Sequence, residues 1–427
     1  MQHCYYAQAI AGTPARPGLA GYNHARVVLI GGGFAGLATA LGLLERGVHE
    51  VTVLEAERIG YGASGRNGGF IMAGFPPGEA ELLRRHGRAK AAQLYDWTVQ
   101  AVNLLRRRIH EYGIACDLRE TGLVLADWFG DSARLREHLA LINDELGGNW
   151  REIAPEEMPQ WVRSARYTGG LLEPDGAHLH PLKYLLALAH RLEASGVRVH
   201  ENSPAVSIDP RAGGYRVTTP DGVVDADQVV VCTGGYRRRA PRRVKRAILP
   251  IASFVAVTEP LADRLPALLP AGAPVYDTRF AFDYYRPLAD GRLLWGGRIS
   301  ARRPSIAAIR RWLRRDMLRV FPGLADVAFE SAWGGLMGYP RHQMPIIGES
   351  RRGYWHVVGF GGRGVAQTTL GGELAAAAIA EDDRCYRKLA RYRLRRVYGA
   401  AGLAAAQVHY WQLQTADWLR ERSGRRL

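Results

Sequence analysis

Cysteine is scarce in this sequence, with four residues in 427: Cys4, Cys116, Cys232 and Cys385. None forms a C-x-x-C pair. That leaves no framework for structural zinc, an iron–sulfur cluster or a disulfide-stapled fold, and it suits a reducing, cytoplasmic setting. Long apolar runs are missing too, and none approaches the ~20 residues that span a bilayer. The opening stretch, MQHCYYAQAIAGTPARPG, lacks a basic segment followed by an apolar core, so no signal peptide is expected. Acid is in deficit: 41 Asp and Glu stand against 57 Lys and Arg, a net charge of +16. That balance raises nucleic acid or an anionic membrane surface as partners. The sequence has no basic platform interleaved with aromatics, however, and its densest cluster, Arg237 to Arg246, reads as a solvated loop between domains. Nucleic-acid binding is therefore not expected.

The remaining composition, 47% hydrophobic and 23% charged, excludes disorder. The length favours two domains. The first chemical signal is RVVLIGGGFAGLATALGLLERGVHEVTVLEAE, from Arg26 to Glu57. Val27 to Ile30 reads as a parallel strand buried on both faces. Gly31, Gly33 and Gly36 follow in G-x-G-x-x-G spacing. They permit a tight turn, close approach to a pyrophosphate and close helix–strand packing. Phe34 and Ala35 open the helix, whose N-terminal N–H groups favour an anion. A second strand ends at Glu55 and Ala56, where the acid can accept hydrogen bonds from ribose hydroxyls. Strand, glycines, helix, strand and acid in order mark a dinucleotide site, although the unit alone does not separate FAD from NAD.

A second G-x-G-x-x-G, at Gly359, Gly361 and Gly364, lies in YWHVVGFGGRGVAQTT. Read alone, it suggests an NAD-dependent dehydrogenase. The segment beyond its helix, RCYRKLARYRLRRVYGAAG, is charged and helical, so no return strand is expected. This loop presents bare backbone and a helix N-terminus, with Arg363 beside it. A third glycine-rich stretch, GASGRNGGF at 62–70, suits a backbone lying close against a ligand.

Together these segments, with YYA at Tyr5–Ala7, VVVCTGGY at 229–236 and DTRFAFDYYRPLADGRLLWGGR at 277–298, resemble the FAD-dependent D-amino-acid-oxidase-like superfamily. Within it the likeness is to flavoproteins of the gamma-glutamylputrescine oxidase type, and it runs over most of the chain. The resemblance implies a Rossmann-like, discontinuous FAD-binding domain and a second domain built on a mainly antiparallel sheet. The FAD domain is expected to comprise 20–80, 165–245 and 341–385. The substrate domain is expected at 81–164 and 246–340, and a helical tail at 386–427.

The resemblance also assigns residues. Gly62, Ala63, Ser64, Arg66, Asn67, Gly68 and Gly69 would lie along the flavin, with Arg66 and Asn67 bonding phosphate or ring-edge atoms. Val206 would bring its backbone to the adenine. Thr233 and Gly234 would stand near the pyrophosphate, and Gly361, Gly362, Arg363, Gly364 and Val365 near the ring. Arg363 stands where the family usually has histidine, and Gly361 where it usually has serine. Both positions bear on re-oxidation, so oxygen and a quinone-like acceptor both remain open. Relatives with a tethered flavin use a cysteine near 331–338. SAWGGLMG has none, which implies noncovalent FAD.

Tyr284 and Tyr285 are adjacent on a strand, so one can face substrate and the other the core. With Arg363 they are the catalytic candidates. Arg286 and Arg298 are candidates for a substrate carboxylate, or else surface arginines. His178 and His180 share a face but have no third ligand nearby, so no metal is expected. Trp333, Gly334 and Gly335 fit either a flavin border or core packing. The implied reaction is oxidation of the C–N bond of an amine or amino acid by hydride transfer to flavin N5, followed by imine hydrolysis. Two alternatives are a tRNA-modifying flavoprotein, suggested by the charge, and a quinone-linked amino-acid dehydrogenase. The tail could pack on the protein or lie on a membrane surface, packing being the commoner outcome.

Overall fold

Val27, Val28 and Leu29 are fully buried, as an apolar run covered on both faces requires. They belong to β1 (Gly21–Ile30), the centre of the first sheet in this computed structural model, which describes residues 4–236 and 240–424. Three arginines of the basic cluster, Arg237 to Arg239, lie outside the described residues. β1 pairs in parallel with β2 (Val51–Leu54) on one side and β11 (Gly222–Val231) on the other. β8 (Arg198–His200) extends the sheet beyond β2. β18 (Tyr354–Val358) joins β11 in parallel, and β17 (Ile346–Arg351) closes that edge antiparallel. β9 (Ser207–Arg211) and β10 (Gly214–Thr218) form a hairpin on β11.

The helices Phe34–Glu45 and Val365–Glu381 pack on one another. Small residues allow that approach: a Cβ on Gly372 would stand 2.7 Å from the backbone of Ala38. No strand follows Val365–Glu381 among the described residues, so the second glycine fingerprint opens no second dinucleotide unit.

The second sheet runs β16 (Phe329–Pro340), β12 (Ile248–Pro260), β15 (Arg292–Ser300), β14 (Tyr284–Pro287), β13 (Val275–Asp277), β4 (Leu123–Ala126), β6 (Gly170–Glu173) and β5 (Arg151–Ile153). It is antiparallel except where β13 meets β4. A two-stranded ladder of β3 (Phe70–Ile71) and β7 (Ala177–His178) lies apart from both sheets. Two details depart from the expected segments. β6 falls after residue 165 yet belongs to the second sheet, because Leu171 and Leu172 pair across to β4 and β5. The helix Arg88–Glu111, expected in the substrate domain, packs on Val365–Glu381, where Arg108 ion-pairs with Glu45 and Glu373.

The tail forms the helix Gly399–Gly424, which runs through Gly402 without a break. It packs on the second sheet: Gln407 accepts from Ser300 and Ala301, and Asp417 accepts from the Phe280 N–H.

Candidate active site

A cavity of about 1010 Å³ lies between the two sheets, at the upper end of the range for small-molecule sites. Its first wall starts at the end of β1. Gly31 takes φ +118°, and a Cβ on Gly36 would fall 1.9 Å from the Gly31 carbonyl oxygen, so only glycine fits either position. Phe34 N–H donates to Ser64 Oγ at 3.0 Å, tying the helix start to the third glycine stretch. A Cβ on Gly33 would lie 2.8 Å from the same oxygen. Glu55 accepts from the N–H groups of Gly32 (2.7 Å) and Glu57 (3.0 Å), and Glu55 and Ala56 both line the cavity. Burial pushes the Glu55 carboxyl up, against those backbone donors.

Residues 62–69 line the next part of the wall, all but Gly65. The Asn67 amide is consumed inside its own loop. It donates to the carbonyls of Ala63 and Ser64 and accepts from Gly69 N–H, so its task is folding the loop rather than bonding a ligand edge. Arg66 donates to the Tyr61 carbonyl and lies 5.1 Å from the Tyr61 ring centre and 5.5 Å from that of Tyr236. These aromatic faces stabilise it in place of a carboxylate partner. Gly68 and Gly69 are held from behind. Arg286 donates to the Gly68 carbonyl (2.5 Å), to Leu179 O (2.8 Å) and to Tyr6 Oη (3.2 Å), and meets His178 Nδ1 at 3.2 Å. Arg286 is therefore a buried clamp on the loop, not a substrate anchor. Arg298 does border the cavity, but its Nε and Nη2 donate to the Asp316 carboxylate, at 2.6 and 2.9 Å.

Thr233 and Gly234 line the wall where β11 ends. Thr233 Oγ1 is buried with no protein partner, which suits a ligand acceptor or donor at that point. Ala205, not Val206, reaches the cavity. Val206 lies one residue too far along: its N–H is spent on the Thr218 carbonyl and its side chain is 63% exposed.

The far end is built by Gly361, Gly362, Arg363, Gly364 and Val365, which all line the cavity. Gly364 caps the helix Val365–Glu381 without a side-chain partner for its first N–H groups. Arg363 is not a free cation. It ion-pairs with Glu79, and its Nη1 also donates to Ala73 O at 3.3 Å. Burial works against the Glu79 charge, but Arg363 holds the carboxyl below the usual range. Glu173 lies behind the same pair. Its Oε1 accepts from Ala73 N–H at 2.8 Å and its Oε2 is buried without a partner. Burial pushes its pKa up to about 7, opposed by Ala73 N–H and Arg363.

Across the cavity stand Tyr276, Tyr284, Tyr339 and Gly335 of the second sheet. Burial pushes the Tyr284 phenol up to about 12, and its hydroxyl lies 3.3 Å from Ser253 Oγ. Tyr285 turns the other way, as strand alternation requires, and stacks on Trp295 at 4.4 Å. It belongs to the core and leaves Tyr284 as the tyrosine of the pair at the site. Trp333 is buried and donates from Nε1 to the Arg66 carbonyl, so it supports the loop without bordering the cavity. His180 caps the helix Pro181–Ala194 by accepting from Lys183 N–H. No three His, Cys, Asp or Glu residues gather into a metal site among the described residues. Sequence reasoning passed over Glu79, Glu173, Tyr276 and Tyr339. Nothing local marks them, because each acquires its place through contacts distant in the chain.

The glycine cradles, the half-buried acid Glu55 and the unpartnered Thr233 hydroxyl fit a dinucleotide in this cavity. Comparison with known proteins agrees. The family model described as FAD dependent oxidoreductase (DAO) matches residues 26–378. A protein of Haemophilus influenzae named "Probable oxidoreductase OrdL" is 33% identical over 395 residues, covering 90% of this chain and 89% of its own. The gamma-glutamylputrescine oxidoreductase of Escherichia coli is 32% identical over 369 residues, covering 83% and 84%. Among solved structures, glycine oxidase from Geobacillus kaustophilus shares the fold at a TM-score of 0.74 and 22% identity, covering 88% of this chain and all of that one.

Proposed function

The chain belongs to the DAO family of FAD-dependent oxidoreductases, and from that premise we propose that it oxidises the C–N bond of a small amine or amino acid to an imine, which water then hydrolyses. A gamma-glutamylated amine is the first substrate to try, given the Escherichia coli relative. FAD, bound noncovalently, supplies the hydride acceptor, and the protein supplies position and electrostatics.

The observation that carries this reading is the pairing of walls: glycine loops of the first sheet on one side, Tyr276, Tyr284 and Tyr339 on the other. Gly31, Gly33, Gly36, Glu55 and Thr233 would hold the nucleotide. Gly68 and Gly69, fixed by Arg286, would lie against the flat ring. The uncapped start of Val365–Glu381 would favour negative charge by ~0.3–2 kcal/mol. Arg363 contributes less free charge there than a bare arginine, because Glu79 neutralises it at short range. Tyr284 stays neutral at ordinary pH and offers a hydroxyl to the substrate side. No side chain is assigned as proton-abstracting base, since an uncharged amine is already the reacting form.

Anaerobic mixing of the purified yellow protein with a panel of gamma-glutamylated amines, N-methyl amino acids and plain amino acids tests this. One class should bleach the visible flavin band. Repeating turnover with oxygen and with a soluble quinone assigns the electron acceptor. A flavoprotein that none of the panel bleaches would remove the proposal.

A further inference from the structure

The C-terminal helix Gly399–Gly424 leaves a row of large apolar side chains uncovered. Its inner face, toward the second sheet, carries Gln407, Tyr410, Asp417 and Glu421. Gln407, Asp417 and Glu421 are hydrogen-bonded or ion-paired to the body, and Tyr410 packs against Phe280. Its outer face carries Val408, Trp411, Trp418 and Leu419, at 50%, 51%, 48% and 56% exposure, with Thr415 between the tryptophans. These positions recur at three- and four-residue steps, so they form one stripe. Such a stripe is not explained by folding, which buries apolar faces. Both acids of the helix are on the inner face, so none interrupts it.

A basic margin runs beside the stripe. Ser300 and Ala301, just ahead of the helix Ile306–Val320, bond to Gln407, and Arg319 near that helix's end pairs with Glu421. The C-terminal helix therefore passes from the segment just ahead of that helix to the neighbourhood of its end. The neighbouring helix exposes Arg311 and Arg315, Arg302 precedes it, and Arg422 on the C-terminal helix itself stands over the Trp418 ring at 3.8 Å.

We propose that this face docks on an anionic lipid surface, with Trp411 and Trp418 at the interface and the arginines against the headgroups. Tryptophans between apolar and charged surroundings fit the membrane–water boundary, and a basic margin adds attraction to anionic lipid. The chain's net charge of +16 favours the same partner. A second copy of the chain fits less well, because a twofold contact through this stripe would bring the arginine margins toward each other. No described helix is long and apolar enough to cross the membrane, so the contact is peripheral. This inference does not depend on the substrate.

The test is flotation of the full-length, FAD-loaded protein with vesicles of phosphatidylcholine alone and vesicles in which phosphatidylglycerol replaces a third of it. The protein should float with the anionic vesicles and come off as salt is raised. Trp411→Ser with Trp418→Ser should lower the bound fraction at least tenfold while flavin content stays unchanged. Arg311→Gln with Arg315→Gln should weaken binding to the anionic vesicles selectively. Wild-type protein that floats with neither vesicle overturns the proposal, as does a tryptophan variant that floats equally well. A wild-type dimer that the tryptophan variant converts to monomer would assign the stripe to a second copy instead.

Discussion

Arg363 and Glu79 form an ion pair at the end of the cavity, 284 residues apart in sequence, and Gly74 leaves the space for it. A Cβ on Gly74 would stand 2.1 Å from Arg363 Nη1 and 2.2 Å from Glu79 Oε1. The pair ties the second glycine fingerprint to the helix Glu79–His86, and Arg363 thereby supports the fold as well as the site.

Removing one partner should therefore be worse than removing both. Arg363→Ala leaves the Glu79 charge buried and should cost ~3–5 kcal/mol in urea unfolding of the holoprotein. Adding Glu79→Gln to that variant should recover a large part of the loss. If the double variant is no more stable than Arg363→Ala alone, the pair is not the source of the cost.

Glu173 gives stability a pH dependence of known sign. Its folded pKa of about 7 lies above the ordinary 4.5, so the native state holds its proton more tightly than the unfolded chain. Its contribution is complete below pH 4.5 and is lost as pH rises through about 7. The linkage is worth ~3 kcal/mol at most. Glu173→Gln should flatten the stability profile between those limits and raise stability at pH 8. Glu79 carries the opposite sign: its depressed pKa stabilises above pH 4.5 and that gain is lost as pH falls. A Glu173→Gln profile parallel to wild type would show that Glu173 does not titrate there.

Glu55 should matter for the cofactor beyond its bonds to the backbone. Glu55→Ala is expected to weaken FAD binding by ~1–3 kcal/mol in a titration of apoprotein. Unchanged affinity would move the ribose away from this acid.

Packing at the first turn makes a steric prediction. Gly36→Ala places a methyl where the Gly31 carbonyl oxygen stands and should destabilise by ~3 kcal/mol in thermal unfolding. Gly323→Ala, whose Cβ would meet nothing within 4 Å, should cost less than ~1 kcal/mol.

Much of this site was legible where a local rule decides it. Glycine spacing after a buried strand located Gly31, Gly33 and Gly36, and the missing return strand removed the second fingerprint from the nucleotide count. Strand alternation separated Tyr284 from Tyr285 without saying which faces in. Reading failed where a side chain's role depends on what the fold brings beside it. Arg286 and Arg298 look alike in sequence. One clamps Gly68 from a buried position and the other is committed to Asp316. Val206 missed the wall by one residue, because the hairpin on β11 claims its N–H. Glu79 and Glu173 carry no local mark at all, since only the tertiary fold gathers them around Arg363.

The central claim is that the cavity oxidises C–N bonds. The most direct measurement is anaerobic stopped-flow reduction of the bound flavin by an amine, with quantification of the carbonyl product. The account predicts bleaching whose rate saturates with one amine class, and one carbonyl product per flavin reduced. Flavin that NADH reduces while every amine and amino acid leaves it oxidised would contradict it.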